Sequence, residues 1–145
     1  VTDQRLLSDV KGAEGCRLTA YKDTNGFWTV AYGHKLETGI DWEGYTVTQD
    51  TADQLLAMDL DAADEQAQAL PEVAGLNGCR TNAVVELVYN MGYGTWLTFE
   101  RCRKALHDSL WELASSELLS SKWAAEVGHT RSGRLAGYLL TGTYG

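Results

Sequence analysis

"YKDTNGFWTVAYGH", Tyr21 to His34, is the stretch whose reading decides the fold. Aromatic and β-branched residues flank an Asn-Gly pair, a strong local signal for a β-hairpin. Two turns fit it. In a two-residue type I′ turn at Asn25-Gly26, Asp23 pairs with Trp28, and Asp23 and Thr29 point to opposite faces. In a type I turn over Asp23-Thr24-Asn25-Gly26, Gly26 is a bulge residue, Asp23 pairs with Phe27, and Asp23 and Thr29 share a face. The difference is chemical, because a carboxylate beside a hydroxyl can hold one water molecule between them. The plainer alternative is that Asp23 only starts the turn.

Working outward, Thr2 or Asp3 can cap a first helix whose apolar stripe is Leu6, Leu7, Val10 and Ala13, and Gly15 stops it. After the hairpin comes an irregular, Gly-containing stretch from Lys35 to Thr46. Thr48 then caps a long amphipathic helix that runs to about Leu70 and is closed by Pro71. Its stripe is Ala52, Leu55, Leu56, Leu60 and Ala63, and its acids Asp50, Asp53, Asp61, Asp64 and Glu65 read as a solvated face. The segment "TNAVVELVYNM", Thr81 to Met91, has almost no polar side and belongs in the middle of a core. Shorter helices are expected over Trp96 to His107, Leu110 to Val127 and Arg131 to Leu140, with breaks near Gly94, Asp108 and Gly128. Strand character is confined to Leu18 to about Tyr45. The pattern predicts an α+β fold, mainly α, as one domain over residues 1–145. A small β-containing lobe covers about 15–60, a larger helical lobe covers 1–14 and 70–145, and the long helix joins them.

Composition limits what such a fold does. The chain has 145 residues, 44% of them hydrophobic, so one core is affordable within a single domain. Twelve Lys and Arg stand against twenty Asp and Glu, a net charge of −8 that opposes a nucleic-acid partner. No run approaches the ~20 apolar residues of a membrane span, and "VTDQRLLSDV" is no secretory h-region. A leader removed before Val1 stays open. Cys16, Cys79 and Cys102 are an odd number without CxxC spacing, and there are only three His. Free thiols, no metal and no cofactor are expected, with one disulfide and one leftover thiol as the alternative.

Glu14 is the second acid of interest. It falls four residues after Val10 and seven after Leu7, on the core-facing side of the first helix. There a carboxyl is partly desolvated and meets the negative end of the helix macrodipole, the setting a general acid needs. Its alternative is a frayed helix end in water. Asp23, at a hydrophilic turn, is expected to stay ionised. Two carboxyls in contrasting settings, beside aromatic surface, suit hydrolysis of a glycosidic bond.

The segments "EGCRLTAYKDTNGFWTVAYGH", "LLAMDLDAA", "RTNAVVELVYNMG", "LLSSKWAAEVGHTRSGR" and "TGTYG" span the chain in order. Together they resemble the phage-type lysozymes, glycoside hydrolase family 24, and within it the T-even-phage type. The resemblance implies a two-lobed lysozyme-like fold with a cleft between the lobes. It implies that Glu14 is the general acid and that Asp23 and Thr29 position and activate the attacking water. The implied reaction is hydrolysis, with inversion, of the β-1,4 bond between N-acetylmuramic acid and N-acetylglucosamine in peptidoglycan. It further implies sugar-binding roles for Lys35, Tyr89, Cys102 and Glu117, and a supporting His34–Asp59 pair. Glu86, a lone carboxylate on an apolar helix, needs a cation, and the resemblance implies Arg131, which matches a family Arg near the catalytic acid. Trp96, Trp123 and Cys16 are expected to be core.

The implied life of the protein is that of an endolysin. It is a monomer whose partner is the glycan strand, held in the host cytoplasm until released to the cell wall in the periplasm. Two features depart from the resemblance: the chain is acidic where the T-even type is basic, and the segment from His34 to Thr48 is short. A silent sugar-binding module and a lytic transglycosylase are the alternatives.

Overall fold

The computed structural model describes residues 3–145. Its hairpin consists of β1 (Arg17–Lys22) and β2 (Trp28–Ala31), antiparallel, with a short β3 (His34–Lys35) on the other edge of β2. The turn is the four-residue kind. The Gly26 N–H donates to the Asp23 carbonyl at 3.0 Å, and the Asp23 N–H donates to the Phe27 carbonyl at 2.8 Å. Gly26 sits at φ +83°, a conformation that costs side-chain-bearing residues energy, while Asn25 does not have the positive φ a type I′ turn requires. The Asp23 carboxylate selects this turn, because its Oδ1 accepts from the backbone N–H groups of both Asn25 and Phe27, each at 2.9 Å.

Beyond β3 the chain returns to the free edge of β1. Ala20 N–H donates to the Tyr45 carbonyl at 2.8 Å and Val47 N–H to the Leu18 carbonyl at 2.9 Å, around a bridge between Thr19 and Thr46. The stretch expected to be irregular therefore begins in β3 and ends on the sheet. Between those points Trp42 Nε1 donates to the Glu37 carbonyl at 2.9 Å, and the Trp42 and Tyr45 rings pack 4.9 Å apart.

Helix α1 (Gln4–Glu14) is capped by Asp3, whose side chain accepts from the N–H groups of Arg5 and Leu6. Thr2, the other candidate cap, lies outside the described residues. Leu6 and Val10 are buried. Ala13 is exposed, a correction to the expected stripe, since it stands in the last turn just before Gly15 ends the helix. Helix α2 (Gln49–Gln68) is capped by Thr48, whose Oγ1 accepts from Thr51 N–H at 3.1 Å. It buries Ala52, Leu56, Leu60, Ala63 and Ala67, and Leu55 is half-buried. Asp53 is not simply solvated. It accepts from Tyr32 Oη at 3.2 Å and Gln49 Nε2 at 3.0 Å, and Lys11 Nζ stands 3.5 Å away.

The chain divides into two compact units, Val1–Asp61 and Ala62–Gly145, with the boundary inside α2. Helix α1 falls in the first unit with the sheet. The second is all helical: α3 (Gly78–Met91), α4 (Tyr93–Leu97), α5 (Glu100–His107), α6 (Trp111–Leu119), α7 (Lys122–Val127) and α8 (His129–Thr141). The fold is thus α+β and mainly α. The unbroken buried run from Ala83 to Val88 makes α3 central within its unit, as its apolar sequence predicts. The shorter helices are more numerous than their sequence spans suggest. A non-helical Thr98-Phe99 junction separates α4 from α5, and Ser121 starts α7 by accepting from Ala124 N–H at 3.2 Å.

Two polar devices hold this unit. Glu72 is 2% exposed and is gripped by Arg103 through Nε at 2.7 Å and Nη2 at 3.1 Å, with Trp96 Nε1 donating at 2.9 Å. Arg80 donates to the carbonyls of Leu139 at 2.8 Å and Leu140 at 2.9 Å, closing the end of α8, while its guanidinium lies 3.6 Å from the Trp111 ring centre. Among the described residues no helix is long and apolar enough to cross a membrane.

Candidate active site

The hairpin register assembles the site. Tyr21 is the cross-strand partner of Thr29, and Thr29 is in turn the partner of Lys35, so these three form one row across the sheet. Asp23, two residues beyond Tyr21 and bonded to Phe27, continues the same face. Of the two turns left open by the sequence, the structure adopts the one that puts Asp23 and Thr29 on one side. Thr29 is buried, and its Oγ1 donates to the Phe27 carbonyl at 3.0 Å, which leaves the hydroxyl oxygen able to accept.

Asp23 is surrounded by donors. Oδ1 takes the two turn N–H groups, and Oδ2 is hydrogen-bonded by Lys35 Nζ. The Lys35 ammonium first, then the Phe27 N–H, hold its carboxyl below the ordinary carboxylate range against the opposing effect of desolvation, with the Asn25 N–H adding to the lowering. Glu14 ends α1 in the same unit and is half-buried, between the core-facing and solvated settings that the sequence allows.

The flanking residues fall as follows. His34 Nδ1 lies 2.8 Å from Asp59 Oδ2, linking the third strand to α2. Arg131 Nε donates to Glu86 Oε2 at 3.1 Å, and Glu86 is 1% exposed. Arg134 joins it with a two-pronged contact, 3.0 Å to Oε1 and 2.7 Å to Oε2. Arg134 was not among the expected partners of Glu86, although its position three residues after Arg131 puts both on one helix face. Glu72 with Arg103, separated by 31 residues, had no local signal.

The proposed sugar contacts are not equivalent. Lys35 is committed to Asp23. Tyr89 is half-buried on α3. Cys102 is 2% exposed and its thiol donates to the Ala114 carbonyl at 3.4 Å. Burial first, then the charges of Glu117 and Glu72, push that thiol up to about 12, so Cys102 stays a neutral thiol. Cys102 and Glu117 do line one groove of about 460 Å³ in the second unit, with Phe99, Arg101 and Ser121 beside them, and Glu117 is paired with Arg101 at 3.1 Å.

In the first unit a larger groove of about 710 Å³ lies along Tyr21, Lys22, Trp28, Ile40, Asp41 and Glu43. All three cysteines are free. Cys16 is exposed rather than core, because the chain leaves α1 through Gly15 at φ +68° before the sheet begins. Trp96 and Trp123 are buried as expected, each with its indole N–H donated, to Glu72 and to Asn90.

Residues 11–137 match the phage lysozyme family. The chain is 27% identical over an alignment 161 positions long, covering 92% of each protein, to "Probable T4-type lysozyme 1" of Dictyostelium discoideum. It is 32% identical over 115 residues to "Peptidoglycan hydrolase gp36" of Pseudomonas phage phiKMV, covering 79% of this chain and 13% of that protein. Against the "Endolysin" of Salmonella phage P22 it is 32% identical over 88 residues, 59% of this chain and 60% of that one. An α+β chain with these matches is a glycoside hydrolase of the lysozyme type. It belongs to the phage lysozyme family.

Proposed function

We propose that the protein hydrolyses the β-1,4 bond between N-acetylmuramic acid and N-acetylglucosamine in peptidoglycan, with inversion at the anomeric carbon. Glu14 gives its proton to the leaving glycosidic oxygen as the bond from that oxygen to C1 breaks. A water on the opposite face of the sugar forms the new bond to C1, and Asp23 takes its proton. Thr29 accepts one hydrogen of that water, since its own hydroxyl hydrogen is directed at the Phe27 carbonyl. The observation that carries this reading is the shared face of Asp23 and Thr29, with Asp23 held ionised by Lys35 and two backbone N–H groups. Membership of the phage lysozyme family and the printed names of the relatives support peptidoglycan as the substrate.

The biological setting follows from that reading. The protein acts as a monomeric endolysin on glycan strands, without nucleic acid. It waits in the host cytoplasm until released to the wall. Replacing Glu14→Gln keeps the shape of the side chain and removes the acid. Lysis of permeabilised cells by this variant should fall by about 10²–10⁴-fold, and Asp23→Asn should fall likewise. Undiminished lysis by either variant rejects the assignment.

A further inference from the structure

We infer that Lys35 is a positioning residue for Asp23: from β3 it fixes the outer carboxylate oxygen, instead of serving as a sugar contact. The inference rests on the proposed role of Asp23 as the group that accepts the proton of the attacking water. Three observations support it. Lys35 stands directly across from Thr29, on the side chain row that Asp23 continues. Its Nζ is hydrogen-bonded to Asp23 Oδ2, while Oδ1 is already occupied by the N–H groups of Asn25 and Phe27. The Asp23 side chain is only 15% exposed, whereas that of Lys35 is 60% exposed, so the ammonium lies over the carboxylate from the solvent side.

The other cations of the hairpin have different occupations. Lys22 Nζ lies 5.4 Å from the Trp28 ring centre, and the Arg17 guanidinium lies 4.1 Å from that of Tyr21. Glu14, at the end of α1, is the other carboxyl of the proposed pair. Lys35 is thus the cation that offsets, at this carboxylate, a chain whose net charge is −8.

Two consequences follow. First, Oδ2 is the oxygen left to meet the water, and its direction is set by Lys35. Second, the acid limb of activity reaches lower pH than an isolated Asp would give. A carboxylate whose pKa is lowered stays charged down to the lowered value, so removing the cause moves the limb to higher pH.

The test compares wild type, Lys35→Met and Lys35→Arg, with purified peptidoglycan as substrate, recording kcat and KM across pH. In parallel, the Asp23 carboxyl carbon is titrated by ¹³C NMR. In Lys35→Met the acid limb of kcat/KM and the Asp23 titration midpoint should both move to higher pH, with a severalfold loss of kcat/KM on the acid side and little change in KM. Lys35→Arg should restore both. A severalfold rise in KM at every pH with an unmoved limb would make Lys35 a sugar contact and overturn the inference. An unmoved Asp23 midpoint would overturn it as well, even if no activity is measured. Peptidoglycan left intact by wild-type protein would sink the proposed function itself, while the NMR titration would still decide whether Lys35 governs Asp23.

Discussion

Arg103→Met is the most informative perturbation of the second unit. It keeps much of the aliphatic stem and deletes the guanidinium that grips Glu72 with two nitrogens. Glu72 is 2% exposed, so after the change its carboxylate retains, among the described residues, the Trp96 indole N–H as side-chain donor. Removing one partner of a buried ion pair costs about 3–5 kcal/mol. Arg103 is itself 20% exposed, which lets water reach the gap and favours the lower end, about 3 kcal/mol. In a chain of this size that corresponds to a fall in Tm of about 10 °C.

The penalty should also depend on pH. Burial pushes the Glu72 carboxyl up, but the hydrogen bonds from Arg103 and Trp96 pull it further down, and the net direction is below the ordinary range. A group with a depressed native pKa gives stability that is present above its unfolded pKa and lost as pH falls through the native one. The difference between wild type and Arg103→Met should therefore be full at pH 7 and shrink below about pH 4. Urea unfolding followed by tryptophan fluorescence measures it, and a Glu72→Gln/Arg103→Met double variant should recover part of the loss. A loss under about 1 kcal/mol that does not change with pH is what an exposed pair gives, and it would refute the reasoning.

Other consequences are more local. Gly142 closes α8 in the left-handed region at φ +69°, and a Cβ there would approach the Arg80 guanidinium at 2.7 Å and the Asn77 amide at 2.8 Å. Gly142→Ala should cost about 2 kcal/mol, read from the same unfolding assay, because the Arg80 head is fixed by two carbonyls and cannot step aside freely. Ser121→Ala should cost about 1 kcal/mol by removing the cap of α7. A thiol reagent applied to the native protein at pH 8 should label Cys16 alone, and all three cysteines after denaturation; prompt native labelling of Cys102 would contradict its burial.

The elements were legible where one local signal was enough. Asn-Gly between aromatic runs announced the hairpin, Thr48 the long helix, and the unbroken apolar run after Ala83 the central helix. The turn type was not legible, since it depends on the φ of Asn25, which is set by hydrogen bonds that the Asp23 carboxylate accepts from the N–H groups of Asn25 itself and of Phe27. Once the register is known, the Lys35 link to Asp23 follows from it, because Lys35 is the partner of Thr29. Cys16 and Ala13 were misjudged for a shared reason. Both flank the glycine that ends α1, where helical periodicity no longer decides which side is covered. Cys102 had a role carried by resemblance alone, and its burial became visible only through the Ala114 carbonyl that its thiol meets.

The direct measurement is the configuration of the sugar released at the new reducing end. Purified peptidoglycan is digested in an NMR tube and the anomeric proton is recorded before mutarotation. An attack by water on the face opposite a β-linked leaving group must first give the α-anomer of a reducing N-acetylmuramic acid. A first product in the β form, or a 1,6-anhydro end without any reducing sugar, would contradict the pairing of an acid at Glu14 with a water held by Asp23 and Thr29.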